Sequence, residues 1–339
     1  MADIYQVNEI YRDKLRSREV KALTEMSRTY SVILEDNLKR LSNLQVLIDT
    51  ATDEADLAAL NGYMVDLQSL NVQMAQAVST WSPTATEIAK QAQQGAIQLS
   101  LDIQEDLVRA VAGVPDSVSM VSLGYNRLPV EAIQNVVGFA GDGSALADLF
   151  DAIGPYARDH VVIGMANGQG PEAVARRMSK TYKDLGISRA HTIARTEMIR
   201  ANREAQRQSF AENFTIVKGW VRVSAGDQKV CVVCWGLQGQ VQDLAQVVPS
   251  HPNCRCTVVP VTPSYAELAG LPEGAFDEPE PLPTRDESFM MLTESERRAV
   301  LGPSRYRLWE TGTSLDSFGR VVQDPKWGPQ AVVIPLKDL

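Results

Sequence analysis

The chain has 339 residues, of which 44% are hydrophobic, and it carries a formal net charge of −9. This length exceeds that of one typical domain, so two or three domains are expected, and the acidic balance argues against a general nucleic-acid coat protein. The sequence contains no run of 18 apolar residues and begins with a polar, charged segment, so neither membrane insertion nor secretion is expected.

Residues 1–113 are predicted to form long helices. Apolar residues recur at steps of three and four from Leu23 to Ile48 and again from Leu57 to Trp81, which is typical of amphipathic helices in a hairpin or bundle. Asn71 is the one polar position in the second series. A buried asparagine there would set the register of the helices, but we favour an asparagine at the solvent edge of an ordinary helical hairpin.

A third helix is predicted to begin at Ser82-Pro83, because serine is a good N-cap and proline is tolerated in the first helical turn. This helix is expected to end near Gly113. Residues 114–210 are predicted to be helical but more interrupted, and their last helix begins at Ser188 and ends near Phe210. Its apolar stripe, which also includes Glu197, consists of Ala190, Ile193, Ala194, Ala201 and Ala205.

The same helix concentrates positive charge in an otherwise acidic chain. One interpretation is a solvated face with local ion pairs. The other is a surface that contacts phosphate or an acidic protein partner. The arginines concerned are Arg189, Arg195, Arg200, Arg203 and Arg207.

An enzymatic interpretation of this helix is weaker. His191, Arg195 and Glu197 could belong to a nuclease or a nucleotide-modifying enzyme, but Glu197 lies roughly opposite Arg195 on a helix. We therefore predict no catalytic residue. Glu197 is expected to be a buried structural carboxylate that accepts a bond from a backbone or arginine donor and joins the helix to the unit that follows.

Strands are predicted after residue 213, at Thr215–Val223 and Thr257–Val261, with a turn between short strands at Leu237–Val241. Residues 211–262 should therefore form a small β-rich module. A Pro-rich acidic linker is predicted at 263–285. The C-terminal extension, 286–339, should contain a helix near Glu294–Leu301 and a loop that carries Trp309.

All four cysteines of the chain and one of its three histidines lie in the β-rich module, in the pattern C-x2-C-x16-H-x2-C-x-C. Two close pairs of soft ligands brought together by a turn are typical of a structural zinc site. Five residues compete for four positions: Cys231, Cys234, His251, Cys254 and Cys256. Either Cys254 or Cys256 is left out, or His251 lies behind a four-cysteine site.

Two other states of these cysteines remain open. They could be reduced and buried without a metal, or they could form disulfides across the two pairs. Zinc is favoured over both, because thiols stay reduced in a cytoplasm and the spacing suits a tetrahedral ion. The site is expected to be structural, since no position is evidently left for water.

The sequence resembles the phage head morphogenesis family, the minor head proteins related to the F protein of Mu-like phages. The resemblance covers about residues 142–261. It is carried by the segment Arg189–Glu197, by Gly226-Asp227 ahead of Cys231-Val-Val-Cys234, and by His251-Pro-Asn-Cys-Arg-Cys256. The order of helix, cysteine pair and final motif is specific, and it marks Asp227 together with Glu197 as structural residues.

The resemblance implies a mainly helical protein with a small α+β zinc-binding module. It also implies a virion protein at the portal vertex and head interior, with a role in head assembly and a further role in DNA packaging or delivery. The implied partners are the portal protein, the major capsid or other head proteins, and packaged DNA. The alternatives are the enzyme considered above and a zinc-dependent module that binds nucleic acid.

Overall fold

The computed structural model describes residues 4–50, 57–129, 145–276, 281, 283–324 and 328–339. The described chain is mainly helical with small antiparallel sheets and long N-terminal helices, which confirms the predicted fold class. None of the helices within these ranges combines the length and apolar character that a membrane-spanning segment needs.

The described chain divides into two compact units, and neither is continuous in sequence. The first, which we call the helical unit, comprises residues 18–50, 57–92 and 145–197. The second, which we call the cysteine unit, comprises residues 4–17, 93–129 and the described part of 198–339. The prediction that the chain has more than one domain agrees with this division, whereas the five predicted regions stay predictions.

Helices α1 (Ile4–Thr50) and α2 (Leu57–Ala112) supply the hairpin of the helical unit. Its core is apolar: Met26, Leu34, Met74 and Val78 are fully buried. At the centre, the ring of Trp81 packs edge-on against that of Tyr30, with ring centroids 4.8 Å apart. The periodicity from Leu23 onward therefore identified the buried face, although α1 begins much earlier than the pattern indicated.

The prediction for Asn71 is wrong, because its side chain is only 2% exposed. The hydroxyl of Tyr182 donates to its Oδ1 at 2.7 Å, and its Nδ2 donates to the carbonyl of Arg158 at 3.3 Å. A buried amide is tolerated when both of its ends are hydrogen-bonded. Asn71 thus connects α2 with two later segments of the helical unit.

The predicted third helix does not exist as a separate element, because α2 continues through Pro83 to Ala112. Proline removes one backbone hydrogen bond from a helix interior. Here the residues that flank the proline in sequence are buried: Trp81, Ser82 and Ala85 are each at most 2% exposed. Burial of this face compensates for the missing bond. The end near Gly113 is confirmed, and that glycine has a left-handed φ of 68°.

The remaining helices of the helical unit are α3 (Ala145–Asp151), α4 (Ile153–Ala166), α5 (Pro171–Ser179) and the first part of α6 (Gly186–Glu212). A π-helical turn, Lys180–Leu185, joins α5 to α6. The hydroxyl of Tyr30 donates to the carbonyl of Tyr182 in this turn at 2.7 Å.

The helix predicted from Ser188 to Phe210 is confirmed as α6, whose bounds, Gly186 and Glu212, differ from the prediction by two residues at each end.

A three-stranded antiparallel sheet forms part of the cysteine unit, in the order β2 (Val241–Gln242), β1 (Gly219–Val223), β3 (Thr257–Val261). Val221 pairs with Val259, and Val223 with Thr257. The predicted closing strand is confirmed. The first strand starts at Gly219 rather than Thr215, because the amides of Ile216 and Val217 turn back to the carbonyl of Asn213. A helical turn, α7 (Val232–Gly236), lies between β1 and β2.

The C-terminal extension packs around α7. Its elements are α9 (Arg285–Met290), α10 (Glu294–Glu310), β4 (Gly319–Asp324) and β5 (Gly328–Val333). A short helix, α8 (Tyr265–Leu268), lies before them in the segment 263–285. Trp235 of α7 meets Phe289 edge-on, with ring centroids 5.3 Å apart. Gly236 lies so close to Leu315 that an added Cβ would come within 2.8 Å of its carbonyl oxygen.

Two sequence predictions for this extension need correction. Trp309 lies in α10 rather than in a loop, because the helix resumes after a kink at Gly302 and Pro303. The antiparallel pair of β4 and β5 was not predicted at all. Part of the predicted acidic linker, residues 277–280 and 282, falls outside the described residues.

Candidate metal centre

The first two candidate ligands are positioned by α7. Cys231 is the N-cap of this helical turn, in an extended conformation, and its sulfur accepts the amide of Cys234 at 3.4 Å. Cysteine can act here as serine does at other helix starts, by accepting a free amide of the first turn. The C-x2-C spacing therefore places both sulfur atoms at the same end of one turn.

The other three candidates lie on the turn that leads into β3. The amide of Cys254 donates to the carbonyl of His251 at 3.2 Å, and Asn253 between them has a left-handed φ of 61°. Asparagine is among the residues that tolerate this conformation best. The turn brings His251 back over Cys254, and Cys256 immediately precedes β3.

The structure brings all five candidates together. The Nε2 atom of His251 lies 3.2 Å from the sulfur of Cys231 and 3.2 Å from that of Cys234. The sulfur atoms of Cys234 and Cys254 are 3.6 Å apart. Sulfur atoms that share a tetrahedral zinc at 2.3 Å are about 3.8 Å apart, so this separation needs little adjustment.

In the part of the chain that the structure describes, two overlapping groups could hold a metal ion: Cys231, Cys234 and His251, and Cys234, Cys254 and Cys256. Cys234 belongs to both groups. The donors are thiols and an imidazole, which suit zinc and other soft or borderline ions better than magnesium or calcium.

All four cysteines are free. Because a disulfide joins its sulfur atoms at about 2.05 Å, the 3.6 Å between Cys234 and Cys254 is a non-bonded contact. The disulfide interpretation is therefore not what the structure contains. The cysteines lie close enough for a shared ion without any bond between them.

The protonation equilibria of the group are strongly coupled. The hydrogen bond from Cys234 lowers the pKa of Cys231 to about 4, against the effect of burial. Hydrogen bonds also lower the pKa of Cys254, and they raise that of Cys234. Burial alone would lower the pKa of His251, but its bonds with Cys231 and Cys254 raise it to about 10. We call Cys231 and Cys234 the first half of the site, and Cys254 and Cys256 the second half. Each half thus contains one cysteine that ionises readily, and the ionised thiolate is the form that binds a metal.

Arg203 of α6 contacts the second half of the site. Its Nη2 donates to the sulfur of Cys254 at 2.8 Å, and its Nε and Nη2 donate to the carbonyl of Cys256 at 2.8 and 2.7 Å. Its Nη1 also donates to the hydroxyl of Ser250 at 3.0 Å. The prediction that Arg203 lies on a surface for phosphate or a partner is wrong, because this side chain is 2% exposed and directed at the cysteines.

Arg222 of β1 contacts both halves. Its Nη1 lies 3.7 Å from the sulfur of Cys234 and 3.8 Å from that of Cys254, and its Nη2 donates to the carbonyl of Pro249. This residue was not predicted from the sequence. A signal was present, since Arg222 is the one charged residue in a strand whose other members are glycine, tryptophan and valine.

Asp227 and Arg255 form a bidentate ion pair beside the site, with nitrogen–oxygen distances of 2.7 and 2.5 Å. The same carboxylate accepts the amide of Lys229. The guanidinium of Arg255 lowers the pKa of Asp227. Arg255 separates Cys254 from Cys256 in sequence, so this pair ties the second half of the site to the loop that precedes Cys231. The structural role of Asp227 stays a prediction.

The other arginines of α6 have local partners. Arg195 pairs with Glu19 of α1 at 2.5 Å. Arg207 pairs with Glu204 at 2.6 Å and donates to the carbonyl of Leu244. The guanidinium of Arg189 lies over the ring of Tyr156, 4.5 Å from its centroid. Arg200 is half-buried and has an interaction partner. Their contact with phosphate or a partner stays a prediction.

The residues considered for catalysis have structural surroundings. His191 contacts the hydroxyl of Ser27 at 2.9 Å through Nε2, and burial lowers the pKa of this histidine. Glu197 is 4% exposed and has an interaction partner, which agrees with its predicted burial. Its predicted role in joining the helix to the cysteine module stays a prediction.

Residues 157–259 match the family model described as Phage Mu protein F like protein. No curated protein and no solved structure shows a significant match to the chain. The matched segment contains α6, both cysteine pairs and His251, so it includes every residue of the candidate metal centre. The family is one of structural head proteins, which is consistent with a chain that is not an enzyme. Through this segment the chain is similar to the phage Mu F-like proteins, which supports the predicted phage head morphogenesis family.

Proposed function

We propose that the chain is a minor head protein of a phage virion, with a structural role in head assembly at the portal vertex and in the head interior. The observation that carries this proposal is the family match over residues 157–259. Two further features support an assembly role. The long helices α1 and α2 offer extended surfaces for protein contacts, and the cysteine unit has a compact core around a candidate metal centre.

The proposed partners are the portal protein and the major capsid or other head proteins. Packaged DNA is a further proposed contact, in packaging or delivery. The arginines of α6 offer limited support for it, since Arg203 is buried and Arg195 and Arg207 pair with glutamates. Protein contacts are therefore the better-supported part of the proposal.

The proposed cofactor is one structural zinc ion held by Cys231, Cys234, His251 and Cys254. Three contacts support this choice: His251 with Cys231, His251 with Cys234, and Cys234 with Cys254. Cys256 is fully buried and groups only with Cys234 and Cys254. It is therefore proposed to lie next to the ligands without being one.

The ligand set can be tested by measuring zinc per chain by elemental analysis and native mass spectrometry. One zinc per chain is expected for the wild type and for Cys256→Ser, and a large loss for Cys254→Ser. The opposite result for the two variants would exchange their roles. A folded wild-type chain without metal would contradict the zinc centre altogether.

The head function can be tested by supplying an epitope-tagged chain during infection and isolating assembled heads. We expect a few copies per head, cross-linking to the portal protein, and loss of incorporation for a Cys231→Ser/Cys234→Ser variant. Cys256→Ser is the matched control, since it changes a neighbouring thiol but no proposed ligand. Heads that assemble normally and contain none of the tagged wild-type chain would overturn the proposal.

A further inference from the structure

Two buried arginines flank the candidate metal centre. Arg203 and Arg222 are each 2% exposed. Within the described ranges, neither has a carboxylate partner, and the negatively charged groups that they can meet are cysteine sulfurs. A buried guanidinium without a counter-charge is costly, so buried charges in proteins are normally paired. The two arginines therefore require that the sulfur group itself be negatively charged.

The contacts of the two side chains are complementary. Arg203 bonds the sulfur of Cys254 and the carbonyl of Cys256, so it holds the second ligand segment against α6. Arg222 approaches the sulfurs of Cys234 and Cys254 together, at 3.7 and 3.8 Å, so it lies between the first and the second ligand segment. One arginine orients a segment, and the other joins the two segments.

The charges discriminate between states of the site. Zinc with three thiolates and one histidine has a net charge of −1, and zinc with four thiolates has a net charge of −2. Zinc with only two thiolates and neutral ligands would be uncharged, as four protonated thiols would be without a metal. Among the zinc-bound states, only the first two supply a counter-charge for Arg203 and Arg222.

We propose that Arg203 and Arg222 are positioning residues that neutralise and orient a negatively charged metal–thiolate centre. This inference rests on the metal centre proposed above and adds the residues that make its charge tolerable in a protein interior. Groups that orient metal ligands commonly change metal affinity by about 10- to 100-fold when they are replaced. An arginine that acts through a sulfur ligand should have an effect of that size.

The test uses the full chain loaded with Co²⁺, whose sulfur charge-transfer absorption reports thiolate coordination, and measures affinity by competition with a chelator. Arg203→Met and Arg222→Met are each expected to weaken binding by about 10- to 100-fold. Arg203→Lys should lie between them and the wild type, because lysine keeps the charge but cannot donate to the sulfur and the carbonyl in the same fork. Arg298→Met, which removes an exposed pair with Glu294, is the matched control.

A second measurement separates this role from general support of the fold. Urea midpoints are measured with metal and with chelator for each folded variant. We expect a smaller metal-dependent increase in midpoint for the arginine variants than for the wild type, as the loss of affinity by about 10- to 100-fold implies, with a smaller change in the chelated form. Equal losses in the two forms, or unchanged Co²⁺ affinity and absorption, would overturn the proposal. If a methionine variant does not fold, the lysine variant decides by the same criteria. A wild-type chain that binds no metal would instead refute the metal centre itself.

Discussion

The two parts of helix α6 are buried in different ways. Its first part, in the helical unit, buries Ala190, Ile193 and Ala194 in an apolar core. Its second part, in the cysteine unit, buries Asn202, Arg203 and Gln206, each at 2% exposure or less. The core of the helical unit is mainly apolar, with buried polar residues such as Asn71 and Glu197, whereas the cysteine unit also buries Arg203 and Arg222 beside its cysteines. One continuous helix thus serves two kinds of core.

This contrast predicts that metal removal should destabilise the cysteine unit selectively. Trp81 is buried in the helical unit, and Trp220 and Trp235 are buried in the cysteine unit. With a strong chelator, we expect the amides around β1 and β3 to lose most of their protection from hydrogen exchange, while those of residues 60–90 keep it. Structural zinc can supply on the order of 10 kcal/mol to a small domain, so the effect should be the largest of all.

The control for metal removal is the same measurement with excess zinc added back. Recovery of protection excludes damage by the chelator. Equal loss of protection in both units would contradict the contrast, because it would mean that the whole chain unfolds as one metal-dependent structure.

The converse change is Trp81→Ala in the helical unit. Trp81 is 2% exposed and contacts Tyr30 and Phe150 through its ring. Truncation of a buried tryptophan costs about 3–5 kcal/mol. Urea unfolding should show this loss in the transition of the helical unit, with the zinc content unchanged. Loss of zinc from the folded variant would show that the two cores are not energetically separate.

A smaller effect is expected for Tyr182→Phe, which removes the donor to the buried Oδ1 of Asn71. A buried acceptor left without its partner costs about 1–3 kcal/mol. The hydroxyl of Tyr182 also lies 2.9 Å from the backbone carbonyl oxygen of Asn71, so both of its contacts are with this residue. The matched control is Tyr63→Phe, at a half-buried position of the same unit. Equal midpoints for Tyr182→Phe and the wild type would mean that Asn71 finds another donor.

The smallest effect is expected for Asp227→Asn, which weakens the ion pair with Arg255. Both side chains are about a third or more exposed, and such pairs contribute about 0–1 kcal/mol. The midpoint of the cysteine unit should fall slightly, and the loss should shrink at high salt. A loss as large as that of the Trp81 variant would show that Asp227 does more than pair with Arg255.

The sequence predicted the buried face of α6 well, because the spacing of Ala190, Ile193 and Ala194 follows the helical period. The prediction for Asn71 was wrong, since the helical period shows which way a side chain points but not whether a hydrogen-bond partner such as Tyr182 lies opposite it. The prediction at Pro83 was wrong for a related reason: local preference marked a helix start, and tertiary packing of Trp81 and Ala85 overrode it.

The five candidate ligands predicted from the sequence lie close together in the structure, because a local pattern brings Cys231 and Cys234 to one turn and His251 and Cys254 to another. Their surroundings were not predicted. A row of arginines on α6 looks the same in sequence whether it faces solvent or sulfur, so Arg203 was assigned to the wrong environment. The core shared by Trp235 and Phe289 is a long-range contact that no local pattern reports.

That shared core has a consequence for the order of events during synthesis. Every candidate ligand, from Cys231 to Cys256, leaves the ribosome before Phe289, Leu315 and Phe318, which pack around α7 in the finished chain. Chains fold progressively as they emerge, at about 5–20 residues per second. For a few seconds, therefore, the thiols are complete as a set but not yet covered, and this interval is when an ion can reach them most freely.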